Sequence, residues 1–343
     1  MPIISPTPGD VHVNATLTNV SLAYMQSADG FVADKVFPPV PVTKQSDIYW
    51  VWPRDKWNTD EMKVRAPGAQ TVGTGFTMAR APYYAEVRGI HHPIPDQVMA
   101  NADNPLGYDT AATNLVTHKA LINRETTWVG KYFVPGVWTL QAVGASAATA
   151  PASFDPTDAT LTNNKLLFWS NAASTPIEDM RKAMTYVQLR SGGFRPNKLT
   201  LSRQVADVLF DHPEIISRVN AGQTPGGPAQ SNEQVIARIL GLSTVLVMDG
   251  VINAAKEGLP EANAFFGGKH ALLTFSPDTP SLMTPSAGYT FSWTGYLGAT
   301  QNGTRVKRFY MTAEASTWVE AETAYDMRLT SAEMAFFFYN IVA

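Results

Sequence analysis

The 343-residue chain carries 26 basic and 29 acidic residues, a net charge of −3, and no cysteine. That balance gives no bulk attraction to nucleic acid or to an anionic membrane, and the missing thiols exclude disulfides, thiolate metal sites and a cysteine nucleophile. Hydrophobic residues make up 45% and charged residues only 16%, which predicts a globular protein with more than one core and too little charge to solvate an isolated surface, hence a subunit buried in an oligomer.

Met1 to Asp10 has neither the basic nor the apolar segment of a signal peptide. Pro2 to Gly30 mixes Pro, Thr, Ser and Asn with isolated aliphatics and reads as an extended arm that orders only against something else. The arm leads into Asp34-Lys35-Val36-Phe37-Pro38-Pro39-Val40-Pro41-Val42. Its prolines lack N–H donors and hold φ near −65°, so this is no central strand but a stiff extended anchor, with Val36, Phe37, Val40 and Val42 to dock it on a sheet edge or a neighbouring molecule.

Asp47 to Trp52 is aromatic and β-branched and predicts a strand that Pro53 ends. Arg54, Asp55, Lys56, Asp60, Glu61, Lys63 and Arg65 form a polar tip, and Gln70 to Arg88 supplies the return limb with Val72, Phe76, Tyr83, Tyr84 and Val87. The result is a long, exposed hairpin whose open edges need a partner. Asn104 to Gly130 predicts a long helix bracketed by Pro and Gly, with one apolar stripe through Ala111, Leu115, Ile122 and Val129 and a second through Leu121 and Trp128.

Gln141 to Thr162 is rich in Ala, Ser, Thr and Asp and reads as a connector at a domain boundary. Thr175-Pro176-Ile177-Glu178 predicts a capping box opening a helix that ends at Gly192-Gly193. A strand around Leu199 and Leu201, helices through Val205–Leu209, Ile215–Val219 and Val235–Leu240 (the last capped from Ser231-Asn232), a Gly/Pro-rich loop over Ala221–Ala229 and a strand at Thr244–Met248 predict a compact α/β unit over Thr175–Ala255. Strands are expected at Ala271–Phe275, Thr290–Trp293, Arg305–Met311, Thr317–Ala321, Ala324–Leu329 and Ala335–Ile341. The run Met334–Val342 is far too short to cross a bilayer and reads as a buried strand.

Several phrases, in order, resemble one family: Ala33-Asp34-Lys35-Val36-Phe37-Pro38 in the arm, the hairpin, the long helix, Arg195-Pro196-Asn197-Lys198-Leu199-Thr200-Leu201 leading to Asp211-His212-Pro213, then Phe266-Gly267-Gly268-Lys269 and Arg305-Val306-Lys307-Arg308. Over nearly the whole chain the arrangement is similar to tailed-bacteriophage major capsid proteins of the Hong Kong ninety-seven type. The resemblance implies an α+β capsid fold: N-terminal arm and anchor (1–44), extended β-hairpin loop (45–81), peripheral domain with a spine helix (82–170), α/β axial domain (171–260), and a β-rich return to the first domains (261–343). It implies a non-enzymatic shell protein that self-assembles into hexamers and pentamers around phage DNA, assembled in the host cytoplasm and resident in the virion. The other implied partners are a separate scaffolding protein (only a short arm precedes the anchor), a portal, a decoration protein and packaged DNA held by weak non-specific contact, with no membrane and no cofactor. Subunit contacts are expected at Val36, Phe37, Pro38, Trp50, Trp52, Arg54, Lys56, Glu61, Lys63 and Arg65. An isopeptide link from Lys56 or Lys63 to Asn340 is outweighed by ordinary solvated charge.

Catalytic candidates are thin. His91-His92 are adjacent, would face opposite sides of a strand and, beside Pro93 and Pro95, are expected to shape a turn. Gly192-Gly193 and Gly267-Gly268 lack a following Lys-Ser/Thr and read as a helix end and a turn. Asp60-Glu61 and Glu320/Glu322 are expected to be solvated or at interfaces, and the acids beside Trp50, Trp52 and Trp57 argue against a nucleic-acid platform. Two alternatives remain: an encapsulin-type compartment shell, and a soluble α/β enzyme with a deep polar pocket in the Thr175–Ala255 unit.

Overall fold

The proline-rich anchor begins with a turn of helix, not with extended chain. In the computed structural model, which describes residues 26–51, 57–75, 77–101, 107–157, 164–221, 232–256, 258–280, 284–298 and 304–343, Ala33–Val36 form a single helical turn, α1, before the chain straightens into strand β1 (Pro39–Val42). Prolines at 38, 39 and 41 constrain only themselves and the residues just before them. Asp34 to Val36 lie upstream and are free to coil. β1 runs parallel to β12 (Gly288–Trp293), from Pro39 opposite Thr290 to Val42 opposite Trp293, and ends the sheet. At that edge the missing N–H groups cost no second ladder. The capped helix and loop signals at Asn104-Pro105, Ala221–Ala229 and Ser231, the arm before Gln26, and Phe76 lie in whole or part outside the described residues.

After β2 (Ser46–Val51) and β3 (Ala79–Tyr84) comes β4 (Glu86–Pro95), which contains both His91 and His92. The expected turn is absent because β4 pairs with β14 (Ser316–Leu329) along its length, from Glu86 opposite Tyr325 to Pro95 opposite Ser316. Among the described residues its other edge has no strand neighbour, so Pro93 and Pro95 are tolerated. β14 is one strand where two were expected. β12 and β13 (Thr304–Met311) share its opposite flank, giving the order β1-β12-β14-β13 with β4 on the far side. Glu322 and Thr323 do not break it, since Arg305 Nη2 and Lys307 Nζ on β13 lie 2.7 and 2.6 Å from the Glu322 carboxylate.

A short helix, α2 (Asp96–Ala100), precedes the long helix α3 (Tyr108–Tyr132). The buried face of α3 is Ala112, Val116, Arg124, Glu125, Trp128 and Tyr132. The expected stripe is displaced: Leu115 is 43% exposed and Ala111 is exposed too. Half-way along, the true core face carries two charged residues, which apolar periodicity assigns to solvent. Ala112 and Val116 pack on Ile94, Val319 and Ala321, so α3 lies across the first sheet.

The second sheet has the order β6-β5-β15-β11-β7-β8. Its members are β5 (Leu140–Ala145), β6 (Lys165–Leu167), β7 (Lys198–Ser202), β8 (Thr244–Met248), β11 (Ala271–Thr274) and β15 (Ala335–Tyr339). The Ala-rich connector expected from Gln141 therefore starts as a strand, parallel to β15 through Phe336 opposite Leu140. Likewise the Thr175–Ala255 unit shares its sheet with the C-terminal strands, since β7 and β8 alone cannot cover a helical layer. Small β9 (Val251–Asn253) and β10 (Asn263–Phe265) pair separately.

The pleat of this sheet divides two cores. Leu199, Leu201, Leu273, Phe336 and Phe338 face one way, towards α4 (Pro176–Ser191), α5 (Arg203–Phe210), α6 (Pro213–Ala221) and α7 (Glu233–Leu240). Leu246, Met248, Leu272 and Phe337 face the other, towards Phe37, Trp128, Phe133 and Trp138. Alternation along a strand covered on both sides demands this split.

Helix ends follow local chemistry with one exception. Gly192 and Gly241 take the left-handed conformation at the ends of α4 and α7, and Asn232 accepts a hydrogen bond from Val235 N at 3.0 Å. Thr175, however, makes no side-chain cap. Glu214 on α6 supplies it instead, its Oε2 accepting from Ile177 N at 3.1 Å. The remaining helix, α8 (Thr294–Leu297), follows β12.

Phe37 is wholly buried against Tyr132, Trp128 and Trp138, with ring centroids 4.8, 5.9 and 6.4 Å away. A methyl group on Gly288 would come within 2.4 Å of its ring. Phe37→Ala is predicted to destabilise the subunit by about 3–5 kcal/mol, read from the shift of the denaturant midpoint at constant slope. Gly288→Ala should also destabilise, by overpacking the same place.

Candidate assembly surface

The hairpin forms as expected, with β2 antiparallel to β3 from Ser46 opposite Tyr84 to Val51 opposite Ala79. Its base is fastened to the first sheet. Tyr83 stacks on Phe291 of β12 at 4.7 Å, Tyr49 lies 5.1 Å from the same ring, and Asp326 Oδ2 accepts from Tyr84 N at 2.9 Å while pairing with Arg328 Nε at 2.6 Å. Residues 57–75 beyond it have scarcely any regular structure, and side chains there stand in solvent. Met62 and Val64 are 93% and 103% exposed.

Met62 and Val64 are interleaved in sequence with Glu61, Lys63 and Arg65, and Asp60 Oδ1 accepts from Met62 N at 3.2 Å. Arg65 Nε donates to Ala69 O, and Asn58 Nδ2 donates to Gly192 O at 3.2 Å. Trp50 is 47% exposed, with the Arg80 guanidinium 4.6 Å from its ring centre. Trp52, Arg54 and Lys56 lie outside the described residues. Two apolar residues this bare form a surface that the described part of the subunit does not cover.

The anchor residues are placed differently. Val36, Phe37 and Pro38 are buried inside their own subunit, so they move from the expected interface to the core. The reason is a charged cluster that sequence patterning missed. Glu125 Oε2 on α3 accepts from both Val32 N (3.0 Å) and Ala33 N (2.9 Å), and Arg124 Nε lies 2.7 Å from Asp34 Oδ1. The Arg124 guanidinium also sits over Tyr325, 4.8 Å from the ring centre.

Burial pushes the Glu125 carboxyl up to about 7 and the nearby Asp34 charge adds to this, while the two backbone N–H bonds pull the other way. Burial likewise raises Asp34, against the opposing pull of Arg124. At Glu322 burial also acts upward, but the hydrogen bonds and charges of Lys307 and Arg305 outweigh it and hold the carboxyl low. Glu322 is therefore a paired buried acid, not the solvated one expected.

Other candidate groups are structural in placement. His91 stacks flat on Trp318 at 3.8 Å, and His92, on the opposite face of β4, is lowered by burial. Gly267 is in left-handed conformation where a side chain would strike Met248 at 2.1 Å. Among the described residues, no three His, Asp or Glu side chains gather as a cation site, and no helix is long and apolar enough to cross a membrane.

No family model matches the chain. A major capsid protein of Pseudomonas phage JBD67 is 25% identical over 338 residues, covering 96% of this chain and 97% of the relative. Among solved structures, the capsid of the cyanophage P-SCSP1u superposes with a TM-score of 0.59 at 10% identity, over 98% of each chain. The chain has the phage-capsid fold. A phage-related protein from Bordetella bronchiseptica RB50 shares it with a TM-score of 0.66 at 18% identity, over 93% of this chain and 94% of its own. So does the SrpI encapsulin of Synechococcus elongatus PCC 7942, at 0.53 and 12% identity over 96% and 92%. Within this capsid fold, residues 57–75 beyond the hairpin strands are left open and the anchor is closed in.

Phe291→Ala removes the ring that Tyr49 and Tyr83 share. The predicted result is a loss of roughly tenfold or more in hydrogen-exchange protection along β2 and β3, with protection across β7 and β11 unchanged.

Proposed function

We infer that this chain is the major capsid protein of a phage, a structural subunit and not an enzyme, whose work is to cover a neighbouring copy of itself. The single observation that carries the reading is a whole-length match to a phage major capsid protein in a chain whose hairpin exposes an apolar strip over Met62 and Val64. Shell subunits act through summed contact area. Individual surface ion pairs such as those Glu61, Lys63 and Arg65 offer are worth about 0–1 kcal/mol each and act in number.

In finer detail, residues 45–81 are the extended loop that lies across the adjacent subunit, 82–170 with α3 the peripheral domain, 171–260 the axial domain and 261–343 the return. The copies form hexamers and pentamers by small changes at hinges. A separate scaffolding protein, a portal and a decoration protein complete the head, assembly takes place in the host cytoplasm, and packaged DNA meets the shell by weak non-specific contact. Low overall charge supports that last point, since 26 basic against 29 acidic residues leaves no polycationic surface. The encapsulin neighbour shares the fold, and fold alone does not separate a genome shell from a cargo shell. The capsid relative in sequence favours the genome.

The test is Met62→Asp with Val64→Asp. Both side chains are solvent-exposed in the subunit, so its melting is predicted to change by no more than about 0.5 kcal/mol, while closed particles seen by sedimentation and electron microscopy disappear. Normal particles from the double variant would remove the hairpin from the assembly contact.

A further inference from the structure

The cluster Asp34–Arg124–Glu125 joins two segments far apart in sequence and is the sole charged contact described between the anchor turn and the interior of α3. We propose that it is a proton-operated latch: Glu125 holds the anchor in its neutral form, and its ionisation loosens residues 31–37 from α3. The inference concerns the single subunit and does not rest on the shell reading.

Charge counting carries it. Glu125 is 1% exposed and Arg124 3%. One guanidinium faces two carboxylates, and it lies against Asp34 rather than Glu125. Glu125 Oε1 is buried and makes no hydrogen bond to any described residue. A fully ionised cluster would therefore bury one uncompensated negative charge where little water reaches it, the most costly arrangement for a carboxylate.

Among the described residues, the other cations nearby are exposed or engaged elsewhere. On α1, Lys35 is exposed and its Nζ donates to Asp29 O at 3.1 Å. On α3, His118 packs edge-on against Phe31, and burial lowers its pKa, so it too favours neutrality. On β14, Tyr325 takes Arg124 on its ring and receives a hydrogen bond on its hydroxyl from Arg88 Nη1 of β4 at 3.0 Å. On β7, Lys198 Nζ is committed to Lys35 O and Asp278, each at 2.8 Å. Asp34 differs from Glu125 in keeping 21% of its side chain open, towards a cavity of about 340 Å³ lined also by Lys35, Lys198 and Asp278. Asp34 also has the Arg124 guanidinium 2.7 Å away, whereas Glu125 meets only backbone N–H groups, so Glu125 is the group that keeps the proton.

The direction follows. The folded cluster holds its proton up to about 7, whereas an exposed glutamate releases it near 4.5. The anchor is therefore held most tightly below about 4.5, loosens as pH climbs to about 7 and levels off above that. The two N–H bonds to Oε2 would by themselves give the opposite trend, because an ionised acceptor is the stronger one.

Hydrogen exchange of the Val32 and Ala33 amides in the full-length protein, corrected for intrinsic rates, decides between them. Protection is expected to fall roughly tenfold or more between pH 5 and pH 8, and this dependence should vanish in Glu125→Gln, whose amide oxygen still accepts both N–H groups. An equal pH dependence in wild type and variant, or protection that rises with pH, overturns the latch. Should Glu125→Gln fail to fold, Asp34→Asn decides: balancing Arg124 against Glu125 alone is expected to move the wild-type midpoint to lower pH, and an unmoved midpoint overturns the proposal.

Discussion

Two backbone N–H groups, of Val32 and Ala33, donated to the one buried carboxyl of Glu125 are the constraint on which the rest of the molecule depends. They set where the anchor turn starts. From that point Asp34 meets Arg124, Phe37 enters the aromatic cage of Trp128, Tyr132 and Trp138, and the prolines emerge at a sheet edge that accepts them. Strand β1 then delivers Ser46 to the base of the hairpin. Breaking such a buried pair costs about 3–5 kcal/mol, even where an apolar replacement of the whole cluster would be no less stable, so its effect is on position more than on net stability.

Much of this was legible in the sequence. Proline placement foretold an edge strand, Asp47 to Trp52 and Gln70 to Arg88 foretold the hairpin, and Gly192 the end of α4. What escaped has physical causes. A strand and a helix turn cannot be told apart over Asp34–Val36, because the deciding acceptor is ninety residues away on α3. The buried face of α3 was misread because Arg124 and Glu125 look like solvent-facing residues until a tertiary partner is known. Thr175 carried every local mark of a cap and lost the role to Glu214, another long-range carboxylate. β15 joins the α/β layer, which no local pattern announces. For the surface, Trp50, Glu61, Lys63 and Arg65 were found as outward residues, whereas Val36, Phe37 and Pro38 turned inward. Met62 and Val64 carry no exposure signal in the sequence, because isolated apolar residues within a charged stretch look the same whether they are covered or bare.

The molecule thus separates two tasks that the sequence places side by side. The anchor is finished within the subunit: its Val32 and Ala33 amides are bonded, Asp34 meets Arg124 and its aromatic ring is enclosed. The hairpin is unfinished: its strands are pinned at the base, but Met62 and Val64 beyond them are fully open to solvent. In a phage-capsid fold such a division is useful, because a rigid attachment point lets an uncovered element reach a neighbour without unfolding the subunit that sends it.

Hydrogen exchange compared between isolated subunits and assembled particles tests this division most directly. The account predicts that residues 57–75 exchange freely in the subunit and become protected on assembly, while Val32 to Phe37 are equally protected in both. Residues 57–75 that stay fully exchangeable in closed particles, or an anchor that gains its protection only there, would contradict it.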